Sequence, residues 1–301
     1  MPQPPNPVTL ADFVRWAEHE LAGAGLYYGH GTDNPLDEAA WIVGASLGVA
    51  PDRLDAERDR RLTPAEAETL RALVAARIET RKPAAYLLNE AWFAGLEFYV
   101  DERVIVPRSI IGEFIAEQFQ PWIDAGKVHS ALDLCTGSGC IAIALAHYFP
   151  EAQVDAADIS REALEVARVN VEQHAMQARV TLIESDLFAA LAGRRYDLIV
   201  TNPPYVDAAD LAALPDEYRH EPQLALAAGD DGLAAITRIL RDAPDHLHPD
   251  GVLIAEVGNS HLALAERYPD VPFTWLTSES GDESVFLVTA AELATCREVF
   301  A

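Results

Sequence analysis

The sequence predicts an α/β chain: an open, largely parallel sheet of nucleotide-binding type, preceded by a small helical domain. Three observations predict it. Up to about residue 85 the apolar residues recur at helical spacing only, whereas from about residue 130 short apolar runs alternate with helical patterns. The first of those runs, Ala131-Leu132-Asp133-Leu134, enters the turn Cys135-Thr136-Gly137-Ser138-Gly139-Cys140 and then the small-residue helix 141–146. Glycines in such a turn let the backbone approach a ligand that the helix N-terminus faces.

The elements follow in order. Leu10, Phe13, Val14, Ala17 and Leu21 make one helical face, residues 37–47 repeat the pattern, and Thr63-Pro64-Ala65-Glu66 is a capping box opening a third helix to about Arg81. Residues 92–100 and 103–106 read as a β-hairpin bent at Asp101-Glu102. The expected domains are therefore 1–85, helical and substrate-recognising; 86–108, a hairpin linking the two parts; and 109–301, which carries the sheet. A helix over 111–125 and the lead-in 127–130 bring the chain to the first sheet strand. Strands are expected at 153–157, 179–183 and 196–201, then at 251–257, 273–276 and 284–289, with helices at 233–247 and 260–268. Residues 207–229 are long, poorly periodic and rich in acids, with Pro215 and Pro222, as a substrate-side loop is.

Polar groups arrive at the end of each successive strand. Asp158 closes the second and is placed to accept ribose hydroxyls; Asp186, followed by Leu187, closes the third and can meet an adenine amino group. Gly137-x-Gly139-x-x-Ala142 also satisfies a dinucleotide fingerprint, and Asp158 suits either cofactor. Asp133 favours a cationic one, so the pattern fits S-adenosylmethionine better than a pyrophosphate. Each acid taken singly is equally well explained as a helix cap or a solvated loop end. The fourth strand ends in Asn202-Pro203-Pro204-Tyr205. Asn supplies a carbonyl acceptor, the prolines stiffen the backbone, and Tyr gives a flat face, a set suited to clamping a planar –NH2 group for methylation. The same four residues also make an ordinary strand-ending turn.

Together, Asp133 to Ala142, Asp158, Asp186 and Asn202 to Tyr205 resemble the motifs of class I S-adenosylmethionine-dependent methyltransferases of the HemK-type protein glutamine methyltransferase family. The segments 83–87, 91–104, 106–109 and 217–222 resemble the PrmB-like branch, which modifies a large-subunit ribosomal protein. The sister branch acts on release factors. It reads Pro-Arg-Pro-Asp-Thr where this chain has Pro107-Arg108-Ser109-Ile110-Ile111, and Gly in place of Cys135. The resemblance spans about residues 10–300; Ile110 and Ser280-Gly281-Asp282-Glu283 depart from the branch's pattern.

The resemblance implies a Rossmann-like seven-stranded sheet and transfer of a methyl group from S-adenosylmethionine to a glutamine side-chain nitrogen. The cofactor residues it implies are Asp133, Cys135, Thr136, Gly137, Ser138, Gly139, Asp158, Asp186, Leu187 and Asn202. The catalytic residues are Asn202, Pro203, Pro204 and Tyr205, which also bind substrate, with Arg108 and Ser109 as further substrate contacts in a cleft between domains. An ion pair tying the hairpin down explains Arg108 equally well. Tyr218, Arg219, His220 and Glu221 are expected at the substrate entrance, His220 being a minor candidate for proton acceptor, and Glu256 and Gly258 at the pocket's edge.

Composition bounds the function. The chain of 301 residues is 50% hydrophobic and carries 22 basic against 48 acidic side chains, a net charge of −26. Such a surface repels nucleic acid and attracts a basic protein, although solubility alone also explains it. The alternatives are the same reaction on peptide-chain release factors, or a nucleic acid adenine amino-methyltransferase, which the acidic surface disfavours; direct DNA binding is not expected, and a basic ribosomal protein, free or in an assembling subunit, is. No apolar stretch approaches the roughly 20 residues that span a bilayer, and residues 1–10 lack a signal peptide's basic start. A cytoplasmic enzyme is expected. Cys135, Cys140 and Cys296 lack metal spacing, the first two reading as small packing residues, and His246-x-His248 has no third ligand nearby, so no metal is expected.

Overall fold

The computed structural model of the protein describes residues 9–300. The opening eight residues of the expected helical domain lie outside that range. The described chain forms two compact units: one runs to Ala91 and takes in Val100–Glu102 and Pro215–Glu221, the other holds Trp92–Tyr99, Arg103–Leu214 and the chain from Pro222 onward.

The helical unit contains α1 (Leu10–Gly23), α2 (Pro35–Leu47), α3 (Pro64–Thr80) and α4 (Ala84–Leu88). Thr9 and Asp12 form a capping box on α1, and Thr63 and Glu66 one on α3. Each satisfies N-terminal N–H groups that have no partner inside the helix. Leu10, Phe13, Leu21, Ile42, Leu70 and Val74 share the core. The short α4 has too few residues for a periodic signal. Arg77 is buried, donating from Nε to Glu38 Oε1 at 2.8 Å and from Nη2 to the Tyr27 carbonyl at 2.9 Å. Glu217, wholly buried, accepts from the Tyr27 N–H at 2.9 Å and from Arg81 at 2.8 Å. Residues 215–221 of the expected loop thus belong to the packing of this unit.

Next along the chain is a hairpin, β1 (Ala91–Phe93) and β2 (Leu96–Phe98), turned at Ala94-Gly95 and lying in the second unit from Trp92 onward. The bend is not at Asp101-Glu102, and 103–106 is no strand. Both Ala94 and Gly95 have positive φ, 49° and 76°, as the two-residue turn matching strand twist requires. The helix expected over 111–125 is also shorter: α5 spans Ile111–Ala116, because Gln118 and Phe119 turn left-handed just before Pro121.

There follow β3 (Ser130–Leu134), α6 (Cys140–Tyr148), β4 (Gln153–Asp158), α7 (Arg161–Gln173), β5 (Val180–Glu184), β6 (Tyr196–Thr201), α8 (Ala208–Ala213) and α9 (Ala234–His246). The chain closes with β7 (Leu247–Glu256), α10 (His261–Arg267), β8 (Thr274–Leu276), β9 (Val285–Thr289) and α11 (Ala290–Thr295). Seven strands form one sheet in the order β5-β4-β3-β6-β7-β9-β8, parallel except for β9 against its two neighbours.

Alternation along each strand sends side chains to opposite faces. Ala131, Val154, Leu198 and Ile254 pack with α5 and α6, whereas Leu132, Ile199, Leu253 and Phe286 pack with α9, α10 and α11. The chain moves outward from β3 through β4 to β5, then returns to lay β6 on the other side of β3. That reversal opens a crevice at the strands' carboxyl ends. Leu134 and Thr201 are register partners there, and Thr201 Oγ1 donates to the Leu134 carbonyl at 2.9 Å. The glycine turn and Asn202 therefore leave adjacent strands side by side.

Candidate active site

The glycine turn is held from beneath by Asp133. Its position on β3 points the carboxylate at the face covered by α6, where Oδ2 accepts from Thr136 Oγ1 at 2.5 Å and from the Ala142 N–H at 3.0 Å. Ala142 lies in the first turn of α6, so a strand residue caps the helix. Burial pushes the Asp133 carboxyl up to about 8, against the pull of these two bonds. Oδ1 is buried and has no protein partner. Cys135, Gly137 and Gly139 all have positive φ, of 60°, 53° and 80°. A Cβ on Gly139 would meet Ala167 Cβ at 3.2 Å, while one on Gly137 would project into open space. Gly139 thus lets α6 and α7 approach, and Gly137 faces the crevice.

Thr136 and Ser138 are buried under the turn, Thr136 engaged with Asp133 and the Ser138 carbonyl accepting from Asn170 at 2.8 Å. Cys140 packs in the core and burial pushes its thiol up to about 12. Cys135 instead lines the crevice, and burial pushes its thiol up too. Asp158 accepts from the Gly137 N–H and the Ser160 N–H, both at 2.9 Å, which ties the second strand end to the turn. Burial raises its carboxyl above the usual range. Asp186 is exposed and pairs with Arg238 at 3.0 Å. Leu187 beside it has a φ of 49°.

Asn202 follows β6. Its Oδ1 is buried without a protein partner. Tyr205 is fixed at three points: its carbonyl accepts from Ser260 Oγ at 2.9 Å, its ring lies against Gly258, and its hydroxyl donates to Glu256 Oε1 at 3.5 Å. The chain beyond is tethered by Val206, whose N–H donates to the Leu226 carbonyl at 3.0 Å.

A cavity of about 320 Å³ opens over these groups. Cys135, Gly137, Asp158, Asp186, Asn202 and Pro204 line it, with Ile159 and Leu224 among its apolar walls. Pro203, Tyr205, Arg108 and Ser109 are not in its lining. Arg108 donates to the Val106 carbonyl at 3.3 Å, and Ser109 Oγ donates to Glu256 Oε2. Tyr218, His220 and Glu221 lie in the helical unit: Tyr218 packs on His30 at 4.6 Å, Glu221 is 3.7 Å from His30, and the Thr80 carbonyl is 3.0 Å from His220 Nε2. Among the described residues no group of three or more His, Cys, Asp or Glu is placed to hold a metal ion, and no helix is long and apolar enough to cross a membrane.

The donor set fits S-adenosylmethionine. An unpartnered carboxylate oxygen beneath the turn suits an ammonium, a glycine without a side chain admits the ligand, and two acids with apolar neighbours suit a nucleoside. Comparison with known proteins agrees. Residues 12–88 match the family described as PrmC N-terminal domain and residues 113–214 that described as Methyltransferase small domain. Over 286 residues the chain is 49% identical to the ribosomal protein uL3 glutamine methyltransferase of Neisseria gonorrhoeae, covering 95% of each. It is 51% identical over 293 residues to the protein of that name from Bradyrhizobium diazoefficiens, covering 95% of this chain and 92% of the relative.

The chain belongs to the protein glutamine methyltransferase family. It is a class I, S-adenosylmethionine-dependent enzyme. Among solved structures it is similar to the ribosomal protein L11 methylase of Lactobacillus delbrueckii subsp. bulgaricus, at 20% identity and a TM-score of 0.41, covering 60% of this chain and 77% of that one. In this methyltransferase, sequence reasoning missed Ser160, Ser260, Asn170 and Arg238, each of which acts through a partner distant in sequence or through the backbone. Glu256 did carry a signal: it is the one acid within the otherwise apolar run 251–257.

Proposed function

We propose that this methyltransferase transfers a methyl group to the side-chain amide nitrogen of a glutamine in the large-subunit ribosomal protein uL3, in the cytoplasm. The observation that carries the reading is Asn202 Oδ1, a buried carbonyl acceptor without a protein partner, at the lip of the cavity beside the glycine turn. Such an atom costs free energy unless a ligand N–H reaches it. The relatives named for uL3 support the acceptor protein, and a net charge of −26 suits a basic one.

Asp133, Gly137, Asp158, Asp186 and Leu187, with Cys135, Thr136, Ser138 and Gly139 shaping the turn, would hold the cofactor, which supplies an electrophilic methyl carbon when bound. An amide nitrogen is a weak nucleophile because its lone pair is delocalised into the carbonyl. Asn202 Oδ1 and the Pro203 carbonyl each accept one amide hydrogen, and Tyr205 packs on the amide plane with Pro204 stiffening the turn. The nitrogen is held in line and tilted toward pyramidal geometry, so positioning carries most of the acceleration. The proton left on the methylated nitrogen is acidic and needs no dedicated strong base. Arg108 and Ser109 contribute to the substrate side.

Incubation with labelled cofactor and separate pools of ribosomal proteins, release factors and DNA tests the reading. Label should enter uL3, at a glutamine identified by mass spectrometry; label in release factors or adenine instead would replace it. Asn202→Ala should lower turnover by about 10²–10³ while leaving cofactor affinity near its parent value.

A further inference from the structure

Glu256 is a buried titratable group to which the mechanism gives no role. Glu256 ends β7 with 6% of its surface exposed. Its two carboxylate oxygens face two hydroxyls from distant parts of the chain: Oε2 accepts from Ser109 Oγ, and Oε1 from the Tyr205 hydroxyl at 3.5 Å. Ser109 is itself fixed, its Oγ accepting from the Ile111 N–H at 3.2 Å at the start of α5. The charged groups facing this site are Arg108, from the segment before α5, and Asp282, from the connection between β8 and β9. Two residues on, Gly258 lies under the Tyr205 ring, where a Cβ would fall 2.3 Å from Cε2. The Tyr205 side chain is thus set by a floor of glycine and a carboxylate at its tip, and that carboxylate by Ser109.

We propose that Glu256 is a positioning residue for methyl transfer: ionised and seated on Ser109, it holds the Tyr205 hydroxyl and so fixes the aromatic wall of the amide clamp. The inference rests on the amide-clamp reading and adds to it a group that touches neither cofactor nor substrate. An ionised carboxylate can accept from both hydroxyls at once. A protonated one puts an O–H toward one of them and loses that acceptor site. The Glu256 carboxyl is pushed up to about 7, chiefly by burial and to a lesser extent by Asp282, against the Ser109 bond, Arg108 and the Tyr205 contact, which hold it down. The hydroxyl contact is long and has room to tighten when the clamp closes on an amide.

The test measures turnover against pH, with cofactor affinity, for the parent and for Glu256→Gln, Tyr205→Phe and the double variant. Glu256→Gln should lower turnover about tenfold at unchanged cofactor affinity, the scale of one lost positioned hydrogen bond. The double variant should be no worse than the weaker single, because both changes break one contact. The rise in turnover through about pH 7 should vanish in Glu256→Gln. It should move to lower pH in Asp282→Asn and to higher pH in Ser109→Ala, two variants that keep the test open should Glu256→Gln fail to fold.

Turnover within twofold of the parent in Glu256→Gln, losses that multiply in the double variant, or a rise that ignores Asp282→Asn would each overturn the inference (thresholds roughly those of a broken hydrogen bond). Failure of the underlying reading looks different. In that case Asn202→Ala retains turnover, whatever Glu256 does.

Discussion

Two buried carboxylates, Asp133 under the glycine turn and Glu256 at the tip of Tyr205, are pushed up, chiefly by burial, to about 8 and about 7. They are built differently. Asp133 takes its donors from residues three and nine positions along the same strand-turn-helix unit, Thr136 and Ala142. Glu256 takes its donors from Ser109 and Tyr205, 147 and 51 positions away. The first is a local device, set once that unit forms. The second exists only when β6, β7 and the segment before α5 have met. The support of the glycine turn by Asp133 is therefore self-contained, whereas the support of the Tyr205 side chain depends on elements brought together by the whole sheet.

Gly258→Ala should break the second region most severely. The new Cβ would overlap the Tyr205 ring at a position with φ 47°, so the ring must move. A displacement of about 1 Å costs on the order of 100-fold in turnover. Calorimetry should find cofactor binding nearly intact, and a proportional loss of both would mean that the two regions are one.

Asp133 gives the next effect. An acid whose folded value lies near 8 against 3.8 in the unfolded chain is protonated when folded and ionised when unfolded across that interval. Its contribution to stability is present below about pH 4 and is lost as pH rises through about 8. Melting temperature of the cofactor-free protein should fall across this window, and Asp133→Asn should flatten the slope. A cationic ligand favours the ionised form, so cofactor binding should release protons below about pH 8, seen as a buffer-dependent heat. A binding heat independent of buffer would place the ammonium elsewhere.

The smallest effect is expected at Asp186. Its pair with Arg238 is about half exposed on both sides, and such pairs contribute roughly 0–1 kcal/mol. Asp186→Asn should leave the melting temperature almost unmoved while weakening cofactor binding a few-fold. An unchanged dissociation constant would remove Asp186 from the site.

Much of this was legible in the residues. The capping box at Thr63, the short apolar strands of the sheet and the glycine turn are local signals, and each of these stands within a few residues of its expected place, whereas the capping box at Thr9 went unread. The misplaced hairpin bend shows the limit: β-formers continue past the true turn, and only the left-handed pair Ala94-Gly95 fixes where the chain reverses. The overlong α5 shows it again, since apolar spacing persists after the backbone has turned at Gln118.

By itself the sequence determined the parts: a glycine turn that only residues tolerant of positive φ can make, acids at strand ends, and the proline-stiffened segment Asn202-Pro203-Pro204-Tyr205. Those follow from the covalent geometry and hydrogen-bonding capacity of neighbours along the chain. The tertiary structure alone decided that Leu134 and Thr201 lie abreast, 67 residues apart, so that Gly137 and Asn202 line one crevice, and that Ser109 and Tyr205 meet over one carboxylate. Strand order is fixed by which faces bury together, a property of the whole packed sheet rather than of any segment in it.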